Sequence, residues 1–354
     1  MHGIKRRSGR STNRQSRGSG HDAIEAAEDD ARPVRGVKAP PCKVLLLGKS
    51  GQVGWELERC LATVCEVVAL DHQGMDLANP DSIRKTVREI RPSLIINAAA
   101  YTAVDKAEAE AELAMAINGI APGILAEEAK RLGAALIHYS TDYVFDGTKR
   151  SPYTEDDEPH PLNVYGKTKL AGELAIQAVG APYLILRTSW VYGARGKNFL
   201  LTILRLAQEK KELRIVDDQI GAPTWSRFIA QATAQILGQI LYAPDGKAAP
   251  HWTDISRTLR CRSSPYVTGV YHLSCGGETS WYGFAQAAME KLRHTSAANR
   301  PMPQFSPIPS AGYATAAARP AYSILSNTKL TDTFAIALPN WAHGLELVLL
   351  DLKS

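Results

Sequence analysis

The sequence predicts an α/β fold: a Rossmann-like doubly wound parallel sheet followed by a smaller, irregular C-terminal domain. Three observations predict it. Short continuous apolar runs alternate with amphipathic helical stretches as far as about residue 193, the pattern of βαβ units. The first of these runs passes directly into glycines spaced three apart. Beyond residue 193 the alternation loosens and prolines and glycines accumulate between helices.

Taken in order, Lys43–Leu47 is a buried parallel strand, and a helix follows from Val53 to about Leu61. Glu66–Asp71 is a second strand ending in an acid. A helix started near Pro80 covers 81–90, and Ser93–Asn97 is a third strand running into the small residues Ala98, Ala99 and Ala100. One long helix is expected over roughly 109–131, a fourth strand over Ala135–Ser140, a helix over 163–178 and a fifth strand over Tyr183–Arg187. Further helices are expected at 198–211 and 226–241. Residues 301–320, with five prolines, read as loop. The expected organisation is therefore a disordered tail over 1–41, a dinucleotide-binding domain over 42–193, and a cap over 194–354. The cap is partly interleaved with the first domain and carries an exposed insertion at 244–266.

The formal charge of +5 does not mark a polyanion-binding face. Residues 1–41 hold nine Lys/Arg against five acids, so +4 of it sits there and +1 remains for the rest of the chain. Nucleic acid is not an expected partner. Five cysteines (Cys42, Cys60, Cys65, Cys261, Cys275) form no CxxC pair, which favours reduced thiols and a cytoplasmic location. No apolar run reaches the roughly 18 residues of a membrane span. The five acids of the tail count against an organelle transit peptide.

Two motifs carry chemistry. Gly48, Gly51 and Gly54 form GxxGxxG where a strand turns into a helix. Such glycines allow a tight turn and the approach of a pyrophosphate to backbone N–H groups. Asp71, about 20 residues on at the end of the next strand, suits a ribose 2′-hydroxyl. The acid favours NADH, whereas Lys49 and His72 beside it ease a 2′-phosphate, so NADPH and NADH both remain open. The second motif is Tyr165 and Lys169, one helical turn apart. A neighbouring ammonium is expected to lower the phenol's pKa and make the pair an acid/base. Ser140-Thr141-Asp142 delivers a hydroxyl at the carboxyl end of the fourth strand, so cofactor loop, hydroxyl and Tyr/Lys pair converge on one crevice. His138, on the same strand, is expected to be packed rather than catalytic.

The order GxxGxxG, Asn97-Ala-Ala-Ala100, Ser140-Thr-Asp142, then YxxxK resembles the extended short-chain dehydrogenase/reductase family. Asn163-Val-Tyr-Gly-Lys-Thr-Lys169, Arg187-Thr-Ser-Trp190 and Asp218-Gln-Ile-Gly-Ala-Pro-Thr224 narrow the resemblance to its members that reduce dTDP-linked 4-ketosugars. The resemblance runs from about residue 43 to the C-terminus. It implies hydride delivery to a C4 ketone, with Tyr165 protonating the oxygen, Thr141 hydrogen-bonding it, and Lys169 tuning Tyr165 and holding the nicotinamide ribose. It further implies dinucleotide contacts from Gly51, Gln52, Val53, Asp71, Asp76, Leu77, Ala100, Tyr101 and Thr102, and substrate contacts from Asp142, Trp190 and Arg319. Some members dimerise through Mg²⁺ held by acids, one in Trp-Glu-Leu and another just after Gly-Ala-Pro-Thr. Glu56 is present here, but Thr224 is followed by Trp225-Ser-Arg227, so the expectation is no metal and a monomer or weak homodimer. An epimerase or dehydratase of the same family, and a non-catalytic NADP(H)-binding regulatory subunit, stay open as alternatives. The former lacks an obvious acid pair beside Thr141, and the latter sits poorly with an intact Thr141, Tyr165 and Lys169.

Overall fold

The structure, a computed structural model, describes residues 42–241, 267–293 and 303–352. The expected tail over 1–41 and insertion over 244–266 lie outside the described residues. Six strands form one wholly parallel sheet: β1 (Lys43–Leu47), β2 (Glu66–Leu70), β3 (Leu94–Asn97), β4 (Ala135–Thr141), β5 (Tyr183–Thr188) and β6 (Gly269–His272), in the order β6-β5-β4-β3-β1-β2. β4 is buried along its whole length, including His138, Ser140 and Thr141, because it is central in the sheet with both faces covered. Helices α1 (Gln52–Leu61), α2 (Pro80–Ile90), α3 (Ala121–Leu132) and α4 (Val164–Val179) connect the strands. One face of the sheet packs with α1 and the helix Ser226–Leu241; the other packs with α2 and α3. From β1 the chain steps to β2 on one side and returns to β3 on the other. The sheet therefore switches direction at β1/β3, where open α/β sheets bind ligands.

Three features differ from the sequence reading. The expected helix over 109–131 is Ala111–Met115, a π-turn at Ala116–Ile120, then α3. Pro122 has no N–H to give to the preceding turn, so the helix widens and restarts there. Residues 304–308 are a strand rather than loop, paired in parallel with Glu212–Val216. The pair forms a sheet of only two strands, so Pro307 breaks no interior ladder. β6, from a stretch without clear patterning, completes the edge of the main sheet beside β5.

Candidate functional site

A cavity of about 560 Å³ opens at the carboxyl ends of the strands, beside the β1/β3 switch. Gly48, Gly51, Gln52, Val53, Asp71, Asp76, Leu77, Ala100, Tyr101, Thr102, Tyr165 and Lys169 all line it. Gly54 lies beneath, where a Cβ would come within 2.0 Å of the Gly48 carbonyl oxygen; only glycine lets α1 start so close to the turn. The Asp71 carboxylate accepts from the N–H groups of Gly74 (3.3 Å) and Gln73 (3.1 Å), with Lys49 Nζ at 3.7 Å. The Gly74 N–H chiefly, and Lys49 after it, hold the carboxyl below its ordinary value. Two hydroxyls that were not among the expected site residues also line the cavity. Ser140 Oγ and Thr188 Oγ1 are buried and make no hydrogen bond within the protein. Buried unpaired hydroxyls facing a cavity are suited to a polar ligand. With the glycine turn and Asp71 they fit a dinucleotide, in a site with room for one.

Tyr165 lines this cavity from the first turn of α4. Asn163 caps that helix, accepting from the Gly166 N–H at 2.8 Å while its own amide donates to the Ala318 carbonyl at 2.7 Å. Gly166 allows the contact with the chain leaving β4, since a Cβ would meet the Tyr143 carbonyl oxygen at 2.2 Å. Burial pushes the Tyr165 phenol up to about 12; a hydrogen bond with Thr141 opposes this and the Asp142 charge adds to it. The phenol is thus held protonated, the form an acid needs. Lys169 acts otherwise than its spacing suggested. Its amine turns to β4, 2.6 Å from the Tyr139 carbonyl and 3.1 Å from His138 Nε2, and burial lowers it to about 8.

Asp142 lies behind Thr141, which donates to its Oδ1 at 3.0 Å, while Ser189 donates to Oδ2 at 2.9 Å. Burial raises its pKa from 3.8 to about 6 despite these bonds. The native protein therefore holds more protons than the unfolded chain between those values, and stability falls as pH rises through that window. Asp142→Asn is expected to stabilise the fold at pH 7, on the order of 2 kcal/mol, with the gain fading as pH falls from 6 towards 4. Urea midpoints at pH 7 and pH 4 measure it; an equal gain at both pH values refutes the assignment.

A second cavity, about 550 Å³, is walled by apolar side chains of Phe199–Glu209 and Glu212–Val216 together with Trp281, Tyr313 and Arg319. Arg319 Nη2 pairs with Asp105 at 2.8 Å and also hydrogen-bonds Tyr143, whose ring meets Tyr165 edge-on at 5.5 Å. Arg319 and Tyr143 thus link this cavity to the phenol. Trp190, with φ at 47°, stacks on Trp281 with ring centroids 3.4 Å apart, and Trp281 is the ring lining the cavity. Trp281, Tyr143 and Asp105 carried no local signal in the sequence; only the fold brings them here. Away from both cavities, Arg227 places Nε 3.1 Å from Glu56 Oε2 and Nη1 2.7 Å from Asp351 Oδ2, so a protein cation already engages Glu56.

Residues 42–354 match the family described as RmlD substrate binding domain. A dTDP-4-dehydrorhamnose reductase from Burkholderia thailandensis is 46% identical over 314 residues, covering 88% of this chain and 99% of that protein. The chain belongs to the dTDP-4-dehydrorhamnose reductase family. The Escherichia coli K12 member of the family is 43% identical over 87% of this chain and 97% of its own. Among solved members, the Clostridium acetobutylicum reductase superposes with a TM-score of 0.75 at 33% identity, covering 88% of this chain and all of that one. The Bacillus anthracis reductase, solved in complex with NADP, gives 0.74 at 32% identity, covering 88% and 99% of the two chains. A UDP-glucose 4-epimerase from Thermus thermophilus, 19% identical with a TM-score of 0.68, shares the fold. No described helix is long and apolar enough to cross a membrane.

Proposed function

We propose that this chain reduces the C4 ketone of dTDP-4-dehydrorhamnose to give dTDP-L-rhamnose, using NADPH or NADH, with Tyr165 as proton donor. The observation that carries the reading is a protonated, buried phenol on the wall of a cavity fitted to a dinucleotide, linked through Tyr143 and Arg319 to a second cavity of a size for a nucleotide-sugar. Bound in the first cavity, a reduced nicotinamide would supply the hydride. Tyr165 gives its proton to the C4 oxygen as negative charge develops there, and the Thr141 hydroxyl, turned from Asp142 to the substrate, donates a hydrogen bond to the same oxygen. Lys169, one turn along α4 and lining the same cavity as the phenol, holds the nicotinamide ribose. Arg319 meets the diphosphate, and Trp281, backed by Trp190, offers an aromatic face to the sugar or base. Asp71 takes the adenosine ribose, and Lys49 beside it offsets its charge towards a 2′-phosphate.

The test is turnover. Purified protein is expected to oxidise NADPH or NADH, followed at 340 nm, when dTDP-4-dehydrorhamnose is supplied and not with UDP-glucose. No consumption with either cofactor would refute the reading.

A further inference from the structure

At the cavity wall, four polar groups form a buried chain that runs from Lys169 through side chains given no role above. Lys169 Nζ lies 3.1 Å from His138 Nε2, and His138 Nδ1 lies 3.1 Å from Asn97 Nδ2. Asn97 Oδ1 accepts from the Ala99 N–H at 3.2 Å. Lys169, His138 and Asn97 are each 1% exposed, so none of these groups trades its partner for bulk water.

The hydrogen bonds fix where the protons are. Ala99 N–H can only donate, so Asn97 must present its carbonyl oxygen there and its NH₂ to the imidazole. His138 Nδ1 must then accept. A neutral imidazole has one proton, which is left on Nε2. That Nε2–H points at Lys169 Nζ. An ammonium there would face it donor to donor, whereas a neutral amine accepts it with its lone pair and still donates to the Tyr139 carbonyl at 2.6 Å. We propose that His138, oriented by Asn97, is a positioning residue that favours the neutral amine of Lys169 over its ammonium. Forming the ammonium then takes one proton from the cavity, a shift of the imidazole proton from Nε2 to Nδ1, and a flip of the Asn97 amide away from the Ala99 N–H. Ala99 itself lines the dinucleotide cavity, so the chain ties the state of Lys169 to the cavity wall.

The surrounding charges agree. Lys169 is lowered to about 8 by burial, and Glu173 on its own helix acts in the opposite direction. Glu173 is itself bound by Arg187 of β5. Burial chiefly holds His138 well below its ordinary value, and the charge of Lys169 adds to this whenever the ammonium forms, so the imidazole stays neutral in either state. From β4 Lys169 meets His138 and the Tyr139 carbonyl, and on α4 the phenol of Tyr165 lies one turn before it.

As far as catalysis goes, the inference rests on the reductase reading, but its first test does not need turnover. The full-length protein, labelled with ¹⁵N-histidine and ¹³C-lysine, is titrated by NMR. Lys169 is expected to titrate near pH 8, with His138 in the Nε2–H form above that pH and its proton moving to Nδ1 below it. An Nδ1–H signal for His138 above that pH, where the amine is neutral, overturns the proposal. In Asn97→Asp the new carboxylate accepts from both Ala99 N–H and Nδ1–H, so the tautomer should invert and the Lys169 titration rise by about one pH unit or more. In His138→Leu the opposing donor is gone, and the titration should again rise. An unchanged or lowered value in that variant would show that His138 only packs, or accepts from an ammonium. If turnover is present, the alkaline limb of kcat/KM should move with the NMR value in each variant. If it is absent while the tautomer is as expected, the reductase reading fails and this one stands.

Discussion

Tyr165→Phe is expected to lower kcat by about 10²–10⁴-fold while leaving the Kd for NADPH nearly unchanged. The substitution removes one oxygen and keeps the ring, so the edge-on contact with Tyr143 at 5.5 Å survives. In the proposed reaction the phenol's proton goes to the place where charge develops, and the loss of such a donor falls on kcat rather than on binding. Its pKa, pushed up to about 12 by burial, keeps the wild-type phenol protonated well past neutral pH. An alkaline limb near pH 8 therefore belongs to Lys169, not Tyr165. Stopped-flow measurement of the hydride step and a fluorescence titration with NADPH separate the two effects. A variant with an unchanged hydride rate would remove Tyr165 from the chemistry.

The local parts of this site were legible in the sequence and the long-range parts were not. β1, the glycine turn, Asp71 at the end of β2 and the Tyr165/Lys169 spacing are patterns within 30 residues or fewer, where strand and helix periodicity speaks directly. The resemblance added Thr141, Trp190 and Arg319, which no periodicity identifies. What stayed hidden depends on residues far apart in the chain. Asn97, His138 and Lys169 come from β3, β4 and α4, and their shared hydrogen bonds exist only because those elements are neighbours. Trp281 meets Trp190 across some 90 residues, and Asp105 meets Arg319 across more than 200. Gln304–Ile308 was hidden differently: Pro307 argues locally against a strand, and the pairing with Glu212–Val216 outweighs it. The spacing of Tyr165 and Lys169 suggested an ammonium lowering the phenol, yet burial raises that phenol and the amine is engaged by β4. Helical geometry puts two residues on one face, but the hydrogen bonds of β4 decide where the amine turns.

Arg187→Met is expected to destabilise the fold by about 3–5 kcal/mol. Arg187 on β5 grips Glu173 on α4 with two nitrogens, Nη2 to Oε2 at 2.7 Å and Nε to Oε1 at 3.0 Å. The two side chains are 4% and 0% exposed, so solvent cannot take over either charge. Methionine fills much of the space of the arginine stem but leaves the carboxylate buried without its partner. Glu173 must then bind a proton, draw in water or pull α4 away from the sheet. The large cost comes from the orphaned charge rather than from the worth of the pair itself. Accordingly, the double variant Arg187→Met/Glu173→Leu should recover most of the loss, because two apolar side chains replace two opposed charges. Denaturant midpoints of the single and double variants decide it; a double variant as unstable as the single one would show that Arg187 acts through its other contacts. Those are the Phe145 ring, 5.2 Å from the guanidinium, and His272, which burial first and then Arg187 lower to about 3. Because α4 carries Tyr165 and Lys169 on the turns preceding Glu173, the single variant should lose activity before it loses structure. Loosening the helix by even an ångström moves the phenol out of line with its substrate. In the double variant, Lys169 also loses the carboxylate that favours its ammonium, so its titration should fall below about 8 even where stability returns.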